Sequence, residues 1–258
     1  MNPKSSVASM KFVTDGGLGT KARLGLIVLQ TDQTIEHEFA DLFVQQDAVA
    51  LYAARIPNNM KVTQATLRQM SIDLPDTARL LAPQLKFDVI AYACTSGATM
   101  IGEARVDELI RDSHPAAKTT KPLSASKAAF AALGIRRIAL VTPYAIDVTV
   151  KLQASLSDAG YEINAVATFD QMDDFTVARI STDSILNAVL EIGKRDDCDG
   201  VFVSCTSLRT LQIIGDAETR LGKPVISSNQ ALAWHMMRLA CILDSPSDAG
   251  CLFTADFS

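Results

Sequence analysis

The sequence predicts an α/β fold of two similar, Rossmann-like, parallel-sheet half-domains related by pseudo-twofold symmetry, with a ligand site between them. Three observations carry this. Strand-sized apolar runs alternate with helical stretches of roughly 10–15 residues, the pattern of βαβ units. Two separate strand motifs recur at nearly the same offset. The more closely matched of the two repeats sits at the carboxyl end of its strand, where open α/β sheets bind ligands. With 258 residues, 48% hydrophobic and 21% charged, the chain is long and apolar enough for an ordered core. At about 150 residues per domain it makes two small domains or one large one.

In chain order, Arg23–Leu29 is the first strand, followed by a helix over Ile35–Gln46 with Ile35, Phe39, Leu42 and Phe43 close to helical spacing. Val49–Ile56 is a second strand, closed by Pro57-Asn58-Asn59. Val62–Met70 and Thr77–Leu85 read as two helices, and Asp88–Ala93 as a strand of the continuous apolar type buried on both faces. Gly97–Arg111 is helical. A second series follows: helix Ser124–Leu133, strand Arg137–Thr142, helix Ala145–Ala159, strand Tyr161–Phe169, helix Val177–Lys194, strand Gly200–Ser204 and helix Arg209–Leu221. A short strand, Pro224–Ser227, and a helix, Gln230–Cys241, complete the chain. The expected domains are 22–120 plus 226–258 and 121–225, with 1–21 a flexible N-terminal segment.

The repeat is explicit. Asp88-Val89-Ile90-Ala91-Tyr92-Ala93-Cys94-Thr95-Ser96 is matched 111 positions later by Asp199-Gly200-Val201-Phe202-Val203-Ser204-Cys205-Thr206-Ser207. Arg23–Val28 is matched 114 positions later by Arg137–Thr142. Each half thus places a Cys-Thr-Ser where a strand ends and a helix is expected to begin. Unpaired N–H groups and the dipole at a helix start favour a carboxylate ligand, with hydroxyls of Thr95, Ser96, Thr206 and Ser207 as added donors. They also favour a thiolate over a free thiol of pKa about 8.5. Two thiols across one cleft can remove a proton on one face of a carbon and deliver one on the other; alternatively, one thiolate can add to a double bond and later leave. Cys94 and Cys205 are therefore the expected catalytic pair. Cys198, Cys241 and Cys251 are expected to be buried apolar residues.

At these residues the chain resembles the aspartate/glutamate racemase superfamily, in the branch of maleate cis-trans isomerases and arylmalonate decarboxylases. The resemblance runs from Arg23 to about Ala240. It rests on Ala93-Cys94-Thr95-Ser96-Gly97, Ser204-Cys205-Thr206-Ser207-Leu208-Arg209, Thr119-Thr120-Lys121-Pro122 and Thr142-Pro143-Tyr144. In that branch decarboxylases lack the first cysteine while isomerases and racemases keep both, so the resemblance implies isomerisation or racemisation of a small carboxylic acid. It further implies that Tyr144 donates its phenol to a substrate carboxylate. The chain departs from maleate isomerases, which carry an asparagine in a run like Pro-Ser-Ser-Asn-Thr-Thr; here the run is Leu29-Gln30-Thr31-Asp32-Gln33-Thr34. A second family asparagine is replaced in the pair Asp173-Asp174. An ionised aspartate accepts hydrogen bonds but does not donate them, so Asp32 and Asp174 imply a substrate with an ammonium or amidine-like group. The Leu-Gln-Thr-Asp run resembles members associated with ectoine utilisation. The plainer role for Asp32 is an N-cap for the helix that follows.

The remaining features are exclusions. A net charge of −5 argues against nucleic-acid binding. No apolar run approaches the ~20 residues that span a bilayer, and the polar start shows no secretory signal, so a cytoplasmic, membrane-free protein is expected. Five scattered cysteines and three distant histidines (His37, His114, His235) support neither a disulfide framework nor a metal site. Gly17-Leu18-Gly19-Thr20-Lys21-Ala22 has the letters of a dinucleotide fingerprint but precedes a strand, so no cofactor is expected. Trp234, with Leu232, Met236, Met237 and Leu239, fits a core or a subunit interface, and a homo-oligomer (dimer or tetramer) is expected. The competing functions are a decarboxylase of malonate-like acids and a non-catalytic small-acid binder on the same scaffold.

Overall fold

The computed structural model describes residues 7–43, 46, 48–59, 64–247 and 249–256. Two four-stranded sheets form its centre. The first holds β1 (Ala22–Leu29), β2 (Val49–Ile56), β3 (Val89–Ala93) and β4 (Lys118–Thr120) in the order β2-β1-β3-β4. The second holds β5 (Arg137–Tyr144), β6 (Glu162–Gln171), β7 (Gly200–Val203) and β8 (Val225–Ser227) in the order β6-β5-β7-β8. Every pairing is parallel, and the two sheets share one strand order. The repeat extends to single hydrogen bonds. Arg23 N–H donates to Asp88 Oδ2 at 2.8 Å, and Arg137 N–H donates to Asp199 Oδ2 at 2.8 Å. In the second half the Arg137 guanidinium also binds Asp199 Oδ1, at 3.0 and 2.6 Å, which holds that carboxyl down to about 2.

Ten helices are described: α1 (Ile35–Phe43), α2 (Gln64–Arg79), α3 (Thr95–Ile101), α4 (Glu103–Arg111), α5 (Pro122–Leu133), α6 (Ile146–Asp158), α7 (Asp174–Val177), α8 (Thr182–Gly193), α9 (Leu211–Leu221) and α10 (Ser228–Leu239). β3 and β7 are buried at every residue, as strands covered on both faces must be. Between the sheets runs α10, buried from Ser228 through Arg238, with Trp234, Leu232, Met236 and Met237 fully enclosed. Those residues are core. The Arg238 guanidinium donates to the carbonyls of Ile242 (2.8 Å) and Phe253 (2.7 Å), tying down the C-terminal 3-10 turn Cys251–Thr254.

Several boundaries differ from those expected. The two helices expected over Val62–Met70 and Thr77–Leu85 give way to one, α2, which runs through Pro75. Met70, Leu74 and Ala78 form a buried stripe at helical spacing, and that packing outweighs the missing proline N–H. The helix expected over Gly97–Arg111 is two, because Gly102 adopts φ 95° and ends α3. The helix expected over Val177–Lys194 is also two, since the Ser181 hydroxyl caps a new start by accepting from Ser184 N–H at 3.2 Å. The three-residue strand β4 is too short and polar to be read from sequence.

Residues 44 and 45 near the end of the first expected helix, 62–63 of the next, and residues 1–6 of the N-terminal segment lie outside the described residues. Residues 7–21 form neither helix nor strand. Cys198 is buried as expected; Cys251 is half-buried and Cys241 is exposed, just past the end of α10 at φ 59°. Among the described residues no helix is long and apolar enough to cross a membrane.

Candidate active site

A cavity of about 680 Å³ opens at the carboxyl ends of β3, β5, β6 and β7, and Cys94 and Cys205 both line it. Cys94 follows β3 and is the N-cap of α3: its Sγ accepts from Gly97 N–H at 3.2 Å and lies 3.7 Å from Ser96 Oγ. Glycine is required at 97, because an added Cβ would lie 2.5 Å from the buried Tyr92 hydroxyl and 2.9 Å from Cys94 Sγ. The second motif does not copy this setting. After β7, residues 204–210 form an irregular loop and α9 starts only at Leu211, so Cys205 is not at a helix start. Its Sγ still accepts from a main-chain donor, Ser207 N–H at 3.4 Å.

The two motifs are joined through the first residue of α10. Ser228 Oγ accepts from Cys205 N–H at 3.1 Å and lies 3.5 Å from Thr95 Oγ1. Thr206 Oγ1 donates to the Ala93 carbonyl at 3.5 Å, and Thr34 Oγ1 to the Ser207 carbonyl at 2.8 Å. A buried carboxylate, Glu38 of α1, accepts from Thr210 N–H, Leu211 N–H and Asn229 Nδ2 (2.6, 2.8 and 2.7 Å). Asn229 Nδ2 also donates to the Thr206 carbonyl at 2.9 Å. The loop carrying Cys205 is thus clamped by Thr34 and Glu38, by the Ala93 carbonyl and by the start of α10.

Electrostatics correct the expected thiolate. Burial pushes the Cys94 thiol up to about 11 and the Cys205 thiol up to about 12, and the Asp174 carboxylate adds to both. The main-chain donors at Gly97 and Ser207 pull the other way but do not win. Both side chains are therefore thiols at neutral pH. Tyr144 lines the same wall. Proline at 143 has no N–H for the ladder, and the β5–β6 register slips between Thr142 and Tyr144, which turns the strand end toward the cavity. Burial raises its phenol well above 10, so it is a neutral hydrogen-bond donor.

Of the nine candidate residues, Cys94, Thr95, Ser96, Tyr144, Asp174, Cys205, Thr206 and Ser207 line the cavity. Asp32 does not. It is 2% exposed, and its Oδ1 accepts from Thr34 N–H (2.8 Å) and Ile35 N–H (2.9 Å), so it fixes the turn that leads into α1. Its Oδ2 is buried without a hydrogen-bond partner among the described residues, and burial raises the carboxyl. Sequence reasoning missed the segment Gln171–Asp173 and the wall residues Leu29, Ala145, Asp147, Val148 and Val177. The signal available was that Gln171–Asp174 follows the carboxyl end of a strand, the edge already singled out for the cysteines. His235 is buried against Thr120 Oγ1 at 2.7 Å, His114 is half-buried on the Ala78 carbonyl and His37 is exposed; none lines the cavity. Among the described residues no group of three His, Cys, Asp or Glu is placed to hold a metal ion.

Comparison with known proteins bears on the fold and the family. A family model described as arylmalonate decarboxylase matches residues 24–253. The arylmalonate decarboxylase of Bordetella bronchiseptica is 36% identical over 110 residues, 42% of this chain and 46% of that protein, so the match spans about half of that relative's length. The maleate isomerase of Geobacillus stearothermophilus is 22% identical over 248 residues, 91% of this chain and 98% of that one. Among solved structures, a cysteine-to-serine mutant of Nocardia farcinica maleate cis-trans isomerase with a covalently bound succinylcysteine intermediate superposes with a TM-score of 0.82 at 23% identity, over 90% of this chain and 98% of that one.

Proposed function

The chain belongs to the arylmalonate decarboxylase family, and within it we propose a cofactor-independent isomerase or racemase that works on a small carboxylic acid through Cys94 and Cys205. The observation that carries this is the presence of both thiols in the wall of one cavity, one from each half of the molecule. In a racemisation the pair works as one thiolate and one thiol: the thiolate takes the substrate α-proton and becomes a thiol, while the other cysteine donates its proton to the opposite face and becomes the thiolate. In a cis-trans isomerisation, one thiolate adds to the alkene and forms a C–S bond, and the other thiol protonates the adjacent carbon. Rotation about the new single bond, return of that proton and cleavage of the C–S bond regenerate both cysteines. The covalent succinylcysteine of the Nocardia farcinica relative is the adduct such a step forms in that protein.

Thr95, Ser96, Thr206 and Ser207 supply hydroxyls to the carboxylate, and Tyr144 supplies its phenol. The Leu29-Gln30-Thr31-Asp32 run, similar to ectoine-associated members, supports an amino-acid derivative as substrate. A second reading, decarboxylation of a malonate-like acid, is favoured by the 36% identity to the Bordetella bronchiseptica decarboxylase. A substrate screen by proton NMR in deuterated water separates them. Racemisation or isomerisation conserves the carbon skeleton, with wash-in of deuterium for a racemase, whereas decarboxylation removes a carboxyl group. No turnover across amino acids, unsaturated diacids and malonates would overturn the enzymatic reading.

A further inference from the structure

We propose that Asp174 is the subsite for a cationic nitrogen of the substrate, so that the cavity takes a zwitterionic acid and rejects a plain dicarboxylate. This names the substrate class of the site and rests on the reading just given. Three carboxylates, Asp147, Asp173 and Asp174, line the cavity, and among the described lining residues there is no Lys, Arg or His. A second substrate carboxylate would therefore meet like charge with nothing to neutralise it.

The three acids are not equivalent. Asp173 is engaged in capping α7, accepting from Thr176 N–H at 2.8 Å and Thr176 Oγ1 at 2.7 Å. Asp147 lies exposed in the first turn of α6. Asp174 is half-buried and, among the described residues, has no ion pair; its Oδ2 accepts from Thr31 Oγ1 at 2.7 Å. Thr31 is itself held by Asn58, whose Nδ2 donates to Thr31 Oγ1 at 2.9 Å and whose Oδ1 accepts from Thr31 N–H at 3.1 Å. Two loops of the first half thus aim a carboxylate of the second half at the cavity and supply a hydroxyl in place of a counter-charge. The buried Asp32 carboxyl behind this wall adds to the same negative field. Leu29, Val148, Met172 and Val177 give the cavity an apolar stretch that suits the carbon chain joining a carboxylate to a nitrogen.

The placement has a chemical consequence. The Asp174 charge bears on both thiols and disfavours either thiolate. An ammonium seated on Asp174 cancels that charge and eases ionisation of a cysteine at the moment the substrate arrives.

The test measures binding to the full chain by thermal shift and calorimetry, using two sets of three- to six-carbon acids: 2-, 3- and 4-amino acids, and unsubstituted dicarboxylates. Expected hits are confined to the amino acids, and Asp174→Asn weakens them at least about thirtyfold. The side-chain amide of that variant keeps a carbonyl to accept from Thr31, so the fold is retained; Thr31→Val, which leaves the charge in place, retains the preference for amino acids. Dicarboxylates that bind as tightly as amino acids, an unchanged preference in Asp174→Asn, or no amino acid that binds, would each overturn the proposal. Deuterium exchange on the hits then tests the isomerase reading separately: a hit that binds through Asp174 but never exchanges or isomerises would sink that reading and leave the subsite standing.

Discussion

Glu38 offers the sharpest test of how the two halves are held in register. Its carboxylate belongs to α1, yet it accepts three hydrogen bonds at the start of α9 and α10, all from donors. With no acceptor opposite, the group sits there as a carboxylate even though burial raises its pKa. Glu38→Ala leaves two main-chain N–H groups and one amide N–H buried and unpaired. Each orphaned donor costs ~1–3 kcal/mol, but the buried charge disappears and water can enter the vacated space, so the net expectation is a loss of ~3–5 kcal/mol. Glu38→Gln keeps a carbonyl oxygen for Thr210 and Leu211, removes the desolvated charge, and disturbs only the Asn229 contact, which predicts a loss of ~1–2 kcal/mol. Urea unfolding followed by far-UV circular dichroism at pH 7 measures both. Turnover should fall in the same order, because Asn229 also holds the Thr206 carbonyl beside Cys205. An alanine variant within about 1 kcal/mol of the parent, or a glutamine variant as unstable as the alanine one, would refute this account.

Three further outcomes are expected. Cys94→Ser and Cys205→Ser each lower turnover by ~10²–10⁴-fold with an unchanged melting temperature, and near-normal activity in either would end the two-cysteine mechanism. Gly97→Ala presses on Tyr92 and Cys94 Sγ, lowering stability by ~1–3 kcal/mol and displacing the thiol; a variant with parental melting temperature and activity would show the contact to be slack. His235, held down to about 4 by burial, stays neutral in the folded chain while the unfolded chain protonates near 6.5. Its contribution is therefore present above pH 6.5 and lost as pH falls toward 4, about 2 kcal/mol between pH 7 and pH 5, and His235→Gln should flatten that slope in chemical denaturation.

The sheets were legible because their strands are apolar runs duplicated along the chain, and duplication fixes strand order as well as strand content. That Cys94 and Cys205 would share one cavity wall was legible for the same reason. What escaped depends on tertiary contact. Pro75 sits inside a helix because Met70, Leu74 and Ala78 bury together, and β4 exists because β3 offers an edge to Lys118–Thr120. The thiol ionisation could not be read at all: a helix start suggests a thiolate, but burial and Asp174, a residue 80 positions from Cys94, reverse the sign. Asp32 shows the converse, since its hold on the start of α1 was visible in the local sequence and its place outside the cavity lining was not.

The unlike settings of the two cysteines have a kinetic consequence. One sulfur caps a helix and accepts from Gly97 N–H, the other rides an irregular loop and accepts from Ser207 N–H. For a racemisation the equilibrium constant is one, and the Haldane relation then forces kcat/KM to be equal for the two mirror-image substrates. The inequality of the acids cannot appear in that ratio, so it must appear as paired differences: the enantiomer that turns over faster also saturates the site at proportionally higher concentration. Progress curves begun from either hand would share an initial slope at low concentration and diverge near saturation.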